Sequence, residues 1–518
     1  MLSIRKLNSR EVYVRMIADF LIIHACMLFS ITVSVTAYTG LGMPSEADKI
    51  AAYFPRYYAN FFLPLSLLFP VIFTASGFYT RMRSYTTQFK AFILMRGVGI
   101  GLAFFLCANF LVWRGELVPR SVALSFSVLA LVAITGSRFL KASLLKVFGR
   151  ELAQPSPAKQ SQNRGTTLVV GGAGYIGSML VRRLLDRGEK VRILDNMTYG
   201  YGAIRDILTH PNLELVAGDC RNIQKVVGAI KGVDSIIHLA AIVGDPACEY
   251  DRQTALEVNY AATRMLIEVA KGNGIERFIF ASSCSVYGET DGIMDERSTV
   301  NPISVYAQTK IDSEKALLEA RSDRFHPTIM RLATVFGNSY RPRFDLVVNL
   351  LTAKAHQEGV ITIYNGQQWR PFIHVRDVAA GLLTILDAPV PVVSGQVYNL
   401  GDSRMNFMLF DVADEIRKVF PETRVEHVEN TDRRNYRVSF DKVKNQLGFQ
   451  CACKLHDGII ELRDAFQNGR INDYKDAYYN NQKYLQREGT PANMADFDAA
   501  VMAAFSTQTR SGAAAVGA

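Results

Sequence analysis

Tyr306 and Lys310 are four residues apart, a spacing that sets both side chains on one face of a helix. An ammonium beside a phenol favours the phenolate, drawing a pKa that starts near ~10 toward the range of a general base. Ser283 lies upstream, just past the apolar run Arg277 to Ala281, which reads as a strand. Open parallel sheets place their ligands at such strand ends, and a hydroxyl there can hold a carbonyl oxygen as it forms. The plainer readings are a helix-capping serine and a surface tyrosine.

A second constellation precedes the first. The run Thr167 to Val170 passes directly into Gly171-Gly172-Ala173-Gly174-Tyr175-Ile176-Gly177-Ser178, and a helical pattern follows. In such a turn Gly171 permits the sharp bend, Gly174 lets backbone approach a pyrophosphate, and Gly177 lets the helix pack on the strand, its N-terminus facing the phosphates. Tyr175 and Ile176 share that loop and are assigned to the same site. Asp195 ends the next strand, placed to hydrogen-bond a ribose 2′-hydroxyl and to repel a 2′-phosphate. No Arg follows in Asn196, Met197 and Thr198, so NAD is favoured over NADP.

These residues need a scaffold, and the chain from Thr166 onward supplies its rhythm. Short β-rich runs, Thr167 to Val170, Val191 to Leu194, Leu213 to Val216, Ser235 to Leu239, Arg277 to Ala281 and Thr328 to Leu332, alternate with helical stretches. That alternation predicts an α/β fold of the doubly wound Rossmann type, a parallel sheet with helices on both faces and a smaller C-terminal substrate-binding part. The expected organisation is a transmembrane module over 1–150, a polar linker over 151–165, a nucleotide-binding and substrate domain over 166–465, and an extension over 466–518 with a disordered end. Asp245 to Cys248 reads as a loop over the active site.

Charge separates the parts further. The chain of 518 residues carries a formal +10, but residues 1–150 hold 16 Lys and Arg against 5 Asp and Glu, while the remainder hold 42 against 43. The basic excess sits in the most apolar segment, which points to a lipid bilayer and away from nucleic acid. Four apolar stretches, Val12 to Tyr38, Phe61 to Tyr79, Phe92 to Trp113 and Leu117 to Leu140, are each long enough to be expected to cross ~30 Å of hydrocarbon as a helix. Cations cluster before the first stretch, between the second and third, and after the fourth, which places both ends of the module in the cytoplasm. Asp19 and His24 read as an interhelical or interfacial pair, and Gly97 and Gly101 as sites of close helix approach. Seven scattered Cys, with only Cys451 and Cys453 close together, make structural zinc improbable, and no metal is expected.

Further stretches carry a resemblance: Gly218-Asp219-Cys220-Arg221, His238-Leu239-Ala240-Ala241, Val258-Asn259, Ser282 to Gly288, and Arg370 to Asp377. With the motifs above, Thr166 to Ala465 resembles the extended short-chain dehydrogenase/reductases that act on nucleotide sugars, in particular UDP-glucose 4-epimerase. The resemblance implies that Tyr306 removes a sugar hydroxyl proton as hydride passes to the nicotinamide. Ser283 then bonds the forming carbonyl, Lys310 holds the ribose and Asn259 completes a proton relay. It implies Asp219 at the adenine, Leu239 and Ala240 along the cofactor cleft, and Arg370, with Arg434 as a second grip, on a substrate phosphate.

It also implies a homodimer built on the Tyr306 helix. Dehydratases of this family carry Asp-Glu after the hydroxyl residue and the decarboxylases carry Glu in that stretch, where this chain has Cys284 and Ser285. That leaves 4-epimerisation, favoured here, or reduction of a 4-keto sugar. The apolar stretches resemble the membrane regions of bacterial polysaccharide-assembly enzymes. They imply a multi-pass protein of the bacterial inner membrane with a cytoplasmic catalytic domain, acting on a nucleotide-diphosphate sugar or a polyprenyl-linked sugar. A regulator that binds NAD without turnover is the contrasting possibility, and it would tolerate Tyr306→Phe.

Overall fold

The computed structural model of the chain describes residues 10–45, 48–49, 51–52, 63–75, 98–103, 105–107, 120–151, 165–429 and 434–489. The chain divides into two compact units, Met1–Gln160 and Ser161–Ala518.

In the first unit, α1 (Arg10–Gly40), α2 (Leu63–Ala75) and α3 (Arg120–Glu151) bury a common core. Ile23, Met27 and Ile31 of α1 meet Phe69 and Phe73 of α2 and Phe126 and Ile134 of α3. A Cβ on Gly101 would lie 2.7 Å from the Phe69 ring, so this glycine does mark a close helix approach. Asp19 is fully buried, and Nδ1 of His24 meets Oγ of Ser66 at 3.1 Å, a contact between helices.

Of the four expected membrane spans the described residues support one: the helix segment Met16–Gly40 is long and apolar enough to cross a bilayer. The described part of α2 is 13 residues, with residues outside the described ones on both sides, and in α3 the apolar part Ser121–Ile134 is followed by Arg138 and Lys141. The third stretch is described only from Val98 to Cys107, and the flanks of the second and third, Gly97 and most of the linker lie outside the described residues.

The second unit is built on seven strands: β1 (Thr166–Val170), β2 (Val191–Asp195), β3 (Leu213–Ala217), β4 (Val233–His238), β5 (Arg277–Ser283), β6 (His326–Leu332) and β7 (Gln396–Leu400). All pair in parallel, in the order β7-β6-β5-β4-β1-β2-β3. In β1, β2, β4, β5 and β6 the Val, Ile, Leu and Phe residues are buried on both faces, as a sheet covered by helices on each side requires, while those of the edge strand β3 are half-buried. The strand order reverses between β1 and β4, so a crevice opens there at the C-terminal strand ends. Helix α4 (Gly177–Asp186) follows β1, and α5 (Val305–Ala320) starts at Ser304, whose Oγ accepts the Ala307 N–H at 3.2 Å. A smaller three-stranded sheet sets Trp369–His374 between Thr334–Phe336 and Asn406–Met408 and forms the second wall of the crevice. A short C-terminal helix, α6 (Asn481–Glu488), completes the rim.

Candidate active site

Local backbone geometry explains the glycine turn. Gly171 has φ +87°, and a Cβ there would lie 2.6 Å from the Ala240 backbone nitrogen, because Leu239 and Ala240 both donate to Val170 O, at 2.8 and 2.9 Å. A Cβ on Gly177 would lie 2.2 Å from Gly171 O, so glycine is what lets α4 start against the turn. Gly174 differs. Its Cβ would meet only Gly171 O, at 3.4 Å, so nothing within the chain demands glycine, and the open space lies in the crevice. A phosphate that must touch backbone fits that cradle.

Asp195 ties the turn to β2. One carboxylate oxygen accepts the Ala173 N–H at 3.0 Å and the other the Met197 N–H at 2.9 Å. Burial raises its pKa, opposed by these two bonds. Asp219 is clamped by Arg221, which donates Nε at 3.0 Å and Nη2 at 2.9 Å and whose side chain also reaches Glu257 at 3.1 Å. Tyr175 and Ile176 line the crevice, and Oη of Tyr175 is spent on Gly337 O at 2.7 Å.

The crevice, about 700 Å³, runs from this turn to Ser283, Tyr306 and Lys310. Ser283 does cap the short turn after β5, accepting the Ser285 N–H at 3.1 Å, and it lines the crevice together with Tyr306. The capping role leaves its place beside the crevice unchanged. Nζ of Lys310 donates to Ala281 O at 2.8 Å and lies 5.6 Å from the centre of the Tyr306 ring. Burial holds the Tyr306 phenol above its ordinary pKa, with Cys248 and Asp245 adding to the rise and Arg343 and Ser283 opposing it. Burial also pushes Lys310 down to about 8. Burial thus favours the neutral form of both groups, and among the charges around the phenol it is Arg343 that favours the phenolate.

Asn259 is placed differently from the other site residues. It is buried behind the cleft wall, its amide exchanging hydrogen bonds with Ile242 N–H (2.8 Å) and Ile242 O (3.0 Å) and reaching Thr309 at 3.4 Å. Its described contacts hold the segment that leads into Asp245 rather than Tyr306 itself; Asp245 to Cys248, expected as a loop, begin a short helix, Asp245–Tyr250, whose first turn accommodates Pro246. Arg370 lines the substrate side, donating to Trp369 O at 2.9 Å, to Gln368 Oε1 at 3.1 Å and to Arg434 O. Arg434 lines it too and pairs with Asp245 at 2.8 Å across the opening.

Sequence reasoning passed over Arg341-Pro342-Arg343-Phe344-Asp345, whose dense charge after a short strand was the available signal. Arg343 chelates Asp345 through two bonds of 2.9 Å, and Arg341 lies over the Tyr199 ring at 3.6 Å. It also passed over Asn480, Asn481 and Gln482, which bring the C-terminal extension into the cleft wall.

Beneath the site His238 is buried, with Nε2 at 3.0 Å from Thr263 Oγ1. Thr263 spends its own hydrogen on Asn259 O, so the imidazole carries its proton on Nε2 and leaves Nδ1 without a partner among the described residues. Burial, then the Lys310 charge, lowers the His238 pKa to about 3 from 6.5. Because the folded value is the lower one, the neutral ring's contribution is complete above pH 6.5 and is lost as pH falls toward 3. Urea unfolding at a series of pH values is expected to show His238→Gln losing less stability on acidification than the parent, by up to about 1.4 kcal/mol per pH unit in that window.

Known proteins match this architecture. Residues 167–401 match the model of the NAD dependent epimerase/dehydratase family. UDP-glucuronic acid decarboxylase 1 of Arabidopsis thaliana is 28% identical over 411 residues, 75% of this chain and 89% of that protein. The solved structure of MoeE5 with UDP-glucuronic acid and NAD is 28% identical and covers 59% of this chain and 100% of its own, with a TM-score of 0.52. That of UDP-glucuronic acid 4-epimerase from Bacillus cereus, with UDP-glucuronic acid and NAD, is 25% identical and covers 58% and 99%, with a TM-score of 0.54. The glycine cradle, the Asp195 clamp and the Ser283, Tyr306, Lys310 cluster all stand within residues 167–401, the part of the second unit that matches the NAD dependent epimerase/dehydratase family, with NAD as the cofactor.

Proposed function

We propose that the protein is an NAD-dependent epimerase that inverts C4 of a nucleotide-diphosphate sugar through a 4-keto intermediate. In this reading it is anchored to the membrane through its first unit and serves the assembly of a cell-surface polysaccharide. The observation that carries the choice of reaction lies just after Ser283. Elimination needs an acid and a base beside the sugar, and the positions that would supply them hold Cys284 and Ser285. Cys284 is 1% exposed, its thiol pKa is pushed up by burial, and it donates to Arg331 O at 3.3 Å. Among the described residues the carboxylates lining the cleft are Asp195, Asp219, Asp245 and Asp345, each already held by backbone N–H groups or by an arginine. The 4-epimerase from Bacillus cereus supports the reaction class.

In this mechanism Tyr306 Oη takes the C4 hydroxyl proton, Ser283 Oγ donates to the oxygen as it becomes a carbonyl, and Lys310 stabilises the phenolate. NAD, when bound, supplies the acceptor that takes hydride from C4 and gives it back. Between the two transfers the keto sugar must present its other face, and a cleft of about 700 Å³ leaves volume for that turn. Arg370 and Arg434 hold the diphosphate while the sugar turns, the latter after exchanging Asp245 for phosphate. Anchoring is supported by the outer faces of the first unit's helices, where Leu21 and Phe29 of α1, Val71 of α2 and Leu124 and Val132 of α3 are exposed at 57–68%. Water would penalise such a surface and lipid would not.

The test is to give the purified full-length protein UDP-glucose, UDP-glucuronic acid and a polyprenyl-diphosphate sugar separately, following C4 configuration by proton NMR and NADH by absorbance. Epimer formation without added cofactor is expected. Steady NADH consumption with a keto sugar would replace the epimerase by a reductase, and turnover of lipid-linked material alone would replace the substrate.

A further inference from the structure

We propose that Asn481, in the C-terminal helix and outside the residues 167–401 that the family model matches, reads the sugar: its Oδ1 accepts a hydrogen bond from a ring hydroxyl of the bound nucleotide sugar. The inference rests on the nucleotide-sugar reading of the cleft.

Asn481 lines the cleft and is 5% exposed. Its Nδ2 donates to Val243 O at 3.1 Å, and its backbone N–H to Asp345 Oδ2 at 3.3 Å. The atom facing a carbonyl oxygen must be the amino group, so the orientation of the amide is settled by Val243. Oδ1 is then left buried, with no partner among the described residues, in the wall of a ligand site. A buried acceptor in that position costs stability until something donates to it.

The surroundings select the donor. Asp345 is chelated by Arg343, and Val243 lies two residues before Asp245; both Arg343 and Asp245 act electrostatically on Tyr306. Asn481 is therefore bracketed by two segments that converge on the reacting end, away from Asp195 and Asp219. Donors brought to that end are sugar hydroxyls and the carboxamide of a nicotinamide. Helix α6 holds the amide in place: Tyr484 packs on Tyr199 at 4.9 Å, and Asn480 caps the helix through the Lys483 N–H. A side chain so constrained discriminates between hydroxyl patterns.

The experiment uses NAD-loaded full-length protein, with UDP-glucose, UDP-glucuronic acid and UDP-glucose analogues each lacking one ring hydroxyl. Asn481→Ala is expected to lower kcat/KM on the order of tenfold, with NAD affinity unchanged. One analogue should lose a similar factor with the parent protein and almost nothing further with the variant, since both remove the same bond. The analogue series on the parent protein needs no substitution and so does not depend on how the variant folds. An equal loss of NAD affinity, or losses that simply multiply for every analogue, overturns the assignment. If the parent binds these sugars without turning them over, the same comparison made by calorimetry decides Asn481 while the epimerase reading fails by itself. A parent that binds none of them overturns both.

Discussion

Tyr306→Phe is expected to lower kcat by roughly 10²- to 10⁴-fold while leaving NAD binding intact, the range spanned by loss of a positioned general base. The substitution removes one oxygen and keeps the ring that packs in the cleft wall. The groups proposed to hold the cofactor, the turn at Gly171 to Gly177 and Asp195, lie on other elements. Ser283 would keep its capping bond to Ser285 N–H, so the turn after β5 should persist. Turnover of a nucleotide sugar and the NAD content of the purified variant are the two measurements. Turnover near that of the parent would remove Tyr306 from the chemistry and favour a regulator that binds NAD without reaction. Loss of NAD along with activity would make the residue structural.

Much of this site was legible because its chemistry demands unusual residues at fixed places. The glycines are required by contacts that a single carbon would violate, at Gly171 against Ala240 and at Gly177 against Gly171 O, so the turn leaves a mark in the chain itself. Six of the seven sheet strands are β-rich runs readable by pattern. The seventh, Gln396–Leu400, hides because Asn399 is fully buried and polar, satisfied by Tyr287 and Ser439 from distant segments. The same limit hid Arg343 and Asn481: each owes its place to a partner far along the chain or to a loop fold, and neither leaves a period. The membrane stretches were less legible for the opposite reason. Apolar composition does not say where a helix begins and stops, and among the described residues the segment Met16–Gly40 alone is long and apolar enough to cross a bilayer.

Glu314→Gln is expected to cost the second unit about 3–5 kcal/mol, the range for breaking a buried ion pair from one side. Glu314 is on α5, one and two helical turns beyond Lys310 and Tyr306, and it meets Arg331 of β6 through Nε at 3.1 Å and Nη2 at 2.7 Å. Both side chains are under 8% exposed, and Ser282 of β5 and Tyr287 join the same network. Removing the carboxylate charge leaves a guanidinium in the interior with nothing to balance it. Denaturant unfolding of the full-length protein measures the loss, and the Glu314→Gln, Arg331→Met double variant should recover part of it by removing the stranded charge. The catalytic helix feels the change as well. Glu314 supports the charged form of Lys310, whose pKa burial has already brought down to about 8, so the variant's lysine loses its proton at lower pH. Activity that depends on that ammonium should then decline on the alkaline side at a lower pH than in the parent, with the steepest part of the parent's own decline near 8. Unchanged stability together with an unchanged alkaline limb would show that the pair neither holds α5 to the sheet nor tunes Lys310.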